Sequence, residues 1–162
     1  MKKSVWILML ALALTGCAAE ETFETISDEP VLPVMAQPRE ITVELPGEAA
    51  LPTMESDSGR AYLCRDYEIY IQTMAGGDLD ATVRSLSGYG RDDLTVMETS
   101  QDGLKRWEFV WTCAGEKGDR LGRAVVLDDG SYHYTLAILR DEDTTDNSQV
   151  VWNDIFSSFG VV

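Results

Sequence analysis

Residues 104–113 read Leu-Lys-Arg-Trp-Glu-Phe-Val-Trp-Thr-Cys, and their alternation limits what the rest of the chain can build. Trp107, Phe109, Trp111 and Cys113 share one face, while Arg106, Glu108, Val110 and Thr112 share the other. A period of two fits a strand and excludes a helix. A Gly-bearing turn at 114–119 follows. Two more β-rich runs, 120–127 and 131–139, then flank Asp128-Asp129-Gly130. Asp-Gly between such runs marks a hairpin, because a tight turn needs residues that accept a positive φ. Upstream, 94–100 ends on Gln101-Asp102-Gly103 in the same manner. The spacing predicts a meander of four antiparallel strands, alternating as a sheet does when one face is buried.

The segments around this meander complete an α+β pattern. Residues 41–45 alternate and stop at Pro46-Gly47, which predicts a short edge strand. Residues 52–59 read as a polar loop. Residues 60–64 and 67–74 form a predicted hairpin, with Tyr67, Ile69 and Ile71 on one face of its second arm. After Gly76-Gly77, Asp78 is placed to cap a helix over 79–87 that Gly88 stops, with Leu79, Val83 and Leu86 on one side. A second helix is predicted over 148–159, with Asp146 and Gln149 at capping-box spacing. Its stripe of Trp152, Ile155, Phe156 and Phe159 is expected to cover the apolar face of the meander. The fold class is therefore α+β: an antiparallel sheet of about six or seven strands, packed by a short middle helix and a C-terminal helix.

The N-terminus has a different grammar. Lys2 and Lys3 precede an apolar run over 5–14, then small residues and a cysteine. A basic start, a short apolar middle and small residues at the cut make a secretory signal peptide. The run is too short to span a bilayer, which takes about 20 apolar residues. Leu14-Thr15-Gly16-Cys17 resembles the lipobox of bacterial lipoproteins. The resemblance implies removal of residues 1–16 and lipidation of Cys17 by a diacylglyceryl group and further acyl chains such as palmitate. Two or more chains make a stable anchor where one is marginal. Residues 17–39 then read as a tether, carrying Glu20, Glu21, Glu24, Asp28 and Glu29 among Pro30, Pro33 and Pro38. Like charge and proline both extend a chain and keep it solvated. The domain proper is expected over 40–162, outside the cytoplasm, held to the cell membrane or the outer membrane through its lipid.

The element order has its own resemblance. Two or three strands, a helix, the meander over 106–139 and a closing helix with Trp152 and Phe156-Ser157-Ser158-Phe159 are similar to the PsbP-like fold, an antiparallel sheet sandwiched by helices. That fold occurs in small bacterial lipoproteins. The resemblance is architectural and carries over no functional residues. An NTF2-like or cystatin-like sheet satisfies much of the same pattern.

Charge and composition narrow the function. A formal charge of −15, which loss of Lys2 and Lys3 makes two units more negative, excludes nucleic acid as a partner and disfavours docking on anionic lipid. Cys17 aside, Cys64 and Cys113 remain, either as a disulfide in an oxidising compartment or as two buried free thiols. His133, the one histidine, lies between Tyr132 and Tyr134 and is expected on the surface or in an edge strand. One imidazole and two distant thiols are too few for zinc. The acidic run from Asp141 to Asp146 fails the EF-hand pattern, with Asp146 where glycine is needed and Trp152 where a bidentate glutamate belongs. No phosphate-cradling or dinucleotide glycine motif is present. The expectation is a lipid-anchored domain with no catalytic residues, no metal and no cofactor, acting on an envelope protein by binding. Two alternatives stand beside it. One is a small-molecule or ion-binding module whose cleft between sheet and helix is lined by Tyr67, Tyr70, Trp107, Trp111, Tyr132 and Tyr134. The other is an envelope hydrolase using two acidic residues.

Overall fold

The structure, a computed structural model, describes residues 36–116, 118–141 and 147–162. The signal peptide, the lipobox with Cys17, most of the tether and the acidic stretch 142–146 lie outside the described residues, as does the capping pair of Asp146 with Gln149. Among the described residues no helix is long and apolar enough to cross a membrane.

The predicted α+β order is present. Strands β1 (Ile41–Thr42), β2 (Met54–Ser56), β3 (Gly59–Leu63) and β4 (Tyr67–Ala75) precede helix α1 (Leu79–Ser87). Strands β5 (Met97–Gln101), β6 (Leu104–Ala114), β7 (Asp119–Asp128) and β8 (Tyr132–Asp141) follow, then helix α2 (Asn147–Ser158) and strand β9 (Gly160–Val161). Seven strands form one antiparallel sheet in the order β2-β3-β4-β8-β7-β6-β5. The hairpin and the meander thus meet at β4 and β8, which pair from Tyr67 opposite Arg140 to Ala75 opposite Tyr132.

Local chemistry sets the ends of α1. The Asp78 side chain accepts from the Ala81 N–H at 3.0 Å, and Gly88 ends the helix at φ +81°, where a side chain would be strained. Nine residues are too few for an isolated helix, which needs about 12–15 in water. Packing therefore holds it: Val83 is fully buried, with Leu79 and Leu86 against the same cluster.

The sheet is covered on both faces, where the meander was expected to bury one. Tyr67, Ile69 and Ile71 of β4, Val125 and Leu127 of β7, and Tyr134, Leu136 and Ile138 of β8 pack under Trp152, Ile155, Phe156 and Phe159. Trp107, Phe109 and Trp111 of β6 belong to the opposite cluster, with Ala124, Val126, Ala137 and Val83. So α1 covers the aromatic face of β6, and α2 lies on the other side. The central strands consequently bury consecutive residues, Ala124 to Leu127 and His133 to Ile138.

Three smaller departures follow from short or non-local pairing. The 41–45 strand shrinks to β1, which pairs with β9 and not with the main sheet. The loop over 52–59 contains β2, which pairs with β3 from Met54 opposite Ala61. The first meander strand begins at Met97, three residues later than predicted, and turns through Asp102 and Gly103, both at positive φ. The last residues of the predicted tether are also already attached. The Tyr132 hydroxyl donates to the Ala36 carbonyl at 2.7 Å, and the Arg39 N–H donates to the Tyr134 hydroxyl at 2.8 Å.

Candidate functional site

His133 comes closest to a catalytic arrangement. It sits at the centre of the sheet, 1% exposed, which corrects the expected surface position. Strand β8 is flanked by β4 and β7, and α1 closes over this part of the sheet. Nδ1 lies 2.7 Å from Thr82 Oγ1, Nε2 lies 4.0 Å from Asp128 Oδ1, and the ring meets Trp107 edge-on at 6.0 Å between centroids. The Thr82 hydroxyl has one proton and two partners, the Asp78 carbonyl at 3.3 Å and His133 Nδ1 at 2.7 Å. A ring protonated on Nδ1 donates to the hydroxyl and leaves the hydroxyl proton for the Asp78 carbonyl; a ring protonated on Nε2 accepts that proton instead. Hydroxyl, imidazole and carboxylate stand in triad order, yet Thr82 is 2% exposed and no substrate reaches its oxygen. The group is core.

Burial pushes the His133 pKa below its ordinary value, against the pull of Asp128, Asp78 and Asp129. The unfolded chain then binds the proton more readily than the fold. Stability is intact above about pH 6.5 and declines as the pH falls below it, by at most about 1.4 kcal/mol per pH unit for this one group. Urea unfolding between about pH 7.5 and pH 5, above most carboxylate titration, is expected to show that loss. His133→Gln is expected to flatten it; an unchanged slope in the variant would assign it to other groups.

The turn between β7 and β8 does more than reverse the chain. Asp129 Oδ1 accepts from the N–H groups of Ser131 and Tyr132, and Oδ2 accepts from the Tyr134 hydroxyl at 2.7 Å. Arg39 Nε is 3.7 Å away. Burial raises the Asp129 pKa, but these hydrogen bonds outweigh it and hold the carboxyl below its usual range. Asp129 thereby ties the segment before β1 to the sheet.

A cavity of about 860 Å³ opens where the β3–β4 and β6–β7 turns meet the end of β8. Its walls carry Arg65, Asp66, Glu68, Glu116, Arg120 and Asp141, together with Cys64 and Cys113. Arg120 is the hub. Its Nη2 lies 3.1 Å from Glu68 Oε1, and its Nε lies 3.3 Å from Asp141 Oδ1. The strand register causes this: Arg120 stands opposite Asp141 on β8 and opposite Cys113 on β6. Gly115 leaves room for the arginine stem, since a Cβ there would sit 2.6 Å from Arg120 Cγ. The Tyr70 hydroxyl donates to Glu68 Oε2 at 2.5 Å, and burial followed by that bond pushes the phenol up to about 12. Behind the rim, the Tyr67 hydroxyl donates to Glu48 Oε1 at 2.7 Å.

Cys64 and Cys113 line this same cavity as free thiols, but only Cys64 is buried and Cys113 is half-buried, so the expected pair of buried thiols is met at one of the two. Strands β4, β8 and β7 lie between β3 and β6, so at about 4.8 Å per strand the two cysteines sit well beyond disulfide reach. Burial pushes the Cys64 thiol up, which keeps it protonated and unreactive. The six aromatics expected in one cleft are divided between the faces. Tyr67 and Tyr134 belong to the core under α2, with Tyr132 packed against it; Trp107 and Trp111 belong to the core under α1, with Tyr70 beside it. Among the described residues no group of three or more His, Cys, Asp or Glu side chains is placed to hold a metal ion.

No protein-family model matches the chain, and no curated protein matches it. Solved structures do, and two of them are as follows. A protein of Bacteroides thetaiotaomicron VPI-5482 superposes with a TM-score of 0.51 at 7% identity, over 75% of this chain and 45% of its own. The present chain thus spans less than half the length of that structure. The solution structure of cyanobacterial PsbP (CyanoP) from Synechocystis sp. PCC 6803 superposes with a TM-score of 0.48 at 17% identity, over 75% of this chain and 81% of its own. At such identity the Bacteroides likeness is one of fold, and it shows an α+β architecture shared between unlike sequences.

Proposed function

We propose that the protein is a lipid-anchored, extracytoplasmic accessory domain of PsbP-like architecture that acts by binding an envelope partner and not by catalysis. The observation that carries this reading is the state of the carboxylates in the cavity around Arg120. Glu68 and Asp141 face the same space, as a two-carboxylate hydrolase would need, but both rest on the Arg120 guanidinium. One guanidinium thus engages both carboxylates, whereas an acid–base pair needs two carboxylates in distinct environments. A fixed, charge-compensated rim on a wide opening suits recognition of another surface. The lipobox at Leu14-Thr15-Gly16-Cys17 and the acidic tether supply the address and the reach.

Crosslinking in intact envelopes tests the binding reading. The full chain is expected to capture a discrete envelope protein, and Arg120→Gln, which releases both carboxylates, is expected to weaken that capture. Recovery of nothing above background counts against it. For the anchor, Cys17→Ser is expected to move the processed protein out of the membrane fraction; retention there would overturn the lipid assignment.

A further inference from the structure

Strand β5 ends the sheet on the β6 side, and its outer edge meets no other strand of the sheet. We propose that two copies of the chain pair through this edge, antiparallel and centred on Thr99, to form a two-fold dimer with one continuous sheet. A second copy is thus a partner additional to the envelope protein proposed above.

The edge is open by its own geometry. Residues 97–100 are all exposed, in contrast to the buried runs of β7 and β8. The turn to β6 has two residues, Asp102 and Gly103, with Gln101 opposite Leu104. Such a turn makes its flanking residues a hydrogen-bonded pair, and the pairing alternates from there. Met97, Thr99 and Gln101 therefore turn their N–H and C=O groups toward β6, and Glu98 and Ser100 turn theirs outward. An outward row of this kind is a template for another strand unless proline, a bulge or lysine blunts it. Met-Glu-Thr-Ser-Gln carries no proline and no lysine, and its register on β6 runs without a bulge. The opposite edge of the sheet differs. Strand β2 has three residues, and its turn at Asp57-Ser58 pairs Ser56 with Gly59, which leaves Glu55 alone facing outward.

Outward residues pair with outward residues, so the two-fold axis falls on Glu98, Thr99 or Ser100. On Glu98 it sets that carboxylate against its own copy. On Ser100 it sets Glu98 against Asp102 of the second copy. On Thr99 it sets Glu98 against Ser100, and each exchanges N–H and C=O with the other across the edge. Like charges directly opposite destabilise a strand pair and Thr–Thr pairs favour it, which selects the Thr99 register. Charge complementarity selects the same one. Ser100 stands opposite Lys105 on β6, an exposed lysine with no ion pair among the described residues. Lys105, Ser100 and Glu98 of the second copy then lie side by side on one face, spanning about 10 Å, and the small serine lets the ammonium and the carboxylate meet over it. Symmetry makes that contact twice. The net charge of −15 opposes association at long range, and physiological salt screens it beyond about 8 Å. A self-pairing edge also closes, whereas β5 on β2 would propagate as a filament.

Disulfide crosslinking of the full chain in intact envelopes tests the pairing and its register. Centred on Thr99, the two Thr99 residues form a non-hydrogen-bonded pair with Cα atoms about 4.5 Å apart, within disulfide range. Thr99→Cys is therefore expected to give a linked dimer under mild oxidation, well above the background that Cys64 and Cys113 set in the unmodified chain. Glu98→Cys, offset from its own copy along the edge, and Met54→Cys, on the opposite edge, are expected to stay at that background. All three side chains are exposed, so the substitutions leave the core intact. Lys105→Glu in the Thr99→Cys chain is expected to cut the dimer several-fold, and adding Glu98→Lys to restore it, because the exchange reverses both charges of the pair. A merely structural role for Lys105 would show no such rescue. Thr99→Cys at background, or Glu98→Cys or Met54→Cys linking as readily, overturns the proposal.

Discussion

Phe156→Ala is expected to cost about 3–5 kcal/mol of folding stability, the range for removing a buried aromatic ring from a packed core. Phe156 is 1% exposed on α2 and packs in the cluster formed by β4, β7 and β8. Two losses combine. The ring leaves a cavity that the sheet beneath cannot collapse to fill, and the Arg123 guanidinium loses the face it stacks on at 4.4 Å. Against a total stability of about 5–15 kcal/mol for a domain of this kind, one such change removes a large fraction. Phe156→Leu keeps much of the volume and is expected to cost clearly less. Val110→Ala, at an exposed position, is expected to stay within about 0.5 kcal/mol. Urea unfolding checks all three, with the slope compared as well as the midpoint. A loss for Phe156→Ala no greater than that for Val110→Ala would mean that α2 does not build this core.

The position of α2 was the least legible part of the fold, and the reason is specific. The alternation over 104–113 is real, but β6 lies toward an edge of the sheet, where Glu108 and Val110 are only partly covered. Read alone, that strand implies one buried face. The contrary signal lay in the next two strands, where Ala124-Val125-Val126-Leu127 and residues 133–138 are continuous runs. A continuous run marks a strand covered on both sides. The same run explains His133: at its centre, the histidine is buried by β4, β7 and α1, whatever its own polarity. Helix α1 was legible to the residue because its signals are local, Asp78 at one end and Gly88 at the other. Strands β2 and β9 were not, since three residues of Met-Glu-Ser and two of Gly-Val carry no period and exist only through their partners.

The cavity was illegible for a related reason. Glu68, Arg120 and Asp141 come from three strands, and what brings them together is the register of β4 on β8 and of β7 on β8. A shift of one residue in either pairing would turn these side chains to the opposite face. The turn at Asp128-Asp129-Gly130 marks the β7–β8 pairing, but no local pattern encodes the register of β4 on β8, which have a helix and three strands between them. The stripe of Trp152, Ile155, Phe156 and Phe159 told that α2 buries aromatic surface; the pairing order decided against which strands.

Gly122→Ala is expected to destabilise by about 1–3 kcal/mol, an unusual cost for adding one methyl group to a strand. Gly122 stands directly opposite Trp111, and the indole lies across the glycine backbone. A Cβ at 122 would sit 2.2 Å from Trp111 Cε2 and 2.3 Å from Cζ2. The ring cannot easily yield, because it is 4% exposed and Phe109 packs beside it with centroids 5.6 Å apart. Away from such a contact, the same substitution favours the fold, since alanine gives up less conformational freedom than glycine, by roughly 0.5–1 kcal/mol in an element interior. The two contributions have opposite signs, so the partner residue decides the result. In a Trp111→Val background the clash is gone, and Gly122→Ala is expected to be neutral or mildly stabilising. A double-mutant cycle on the pair therefore predicts a coupling of about 1–3 kcal/mol, toward the upper end of what contacting residues show. Additive costs in that cycle would mean that Trp111 does not lie over Gly122, and the aromatic face of β6 would then need a different packing against α1.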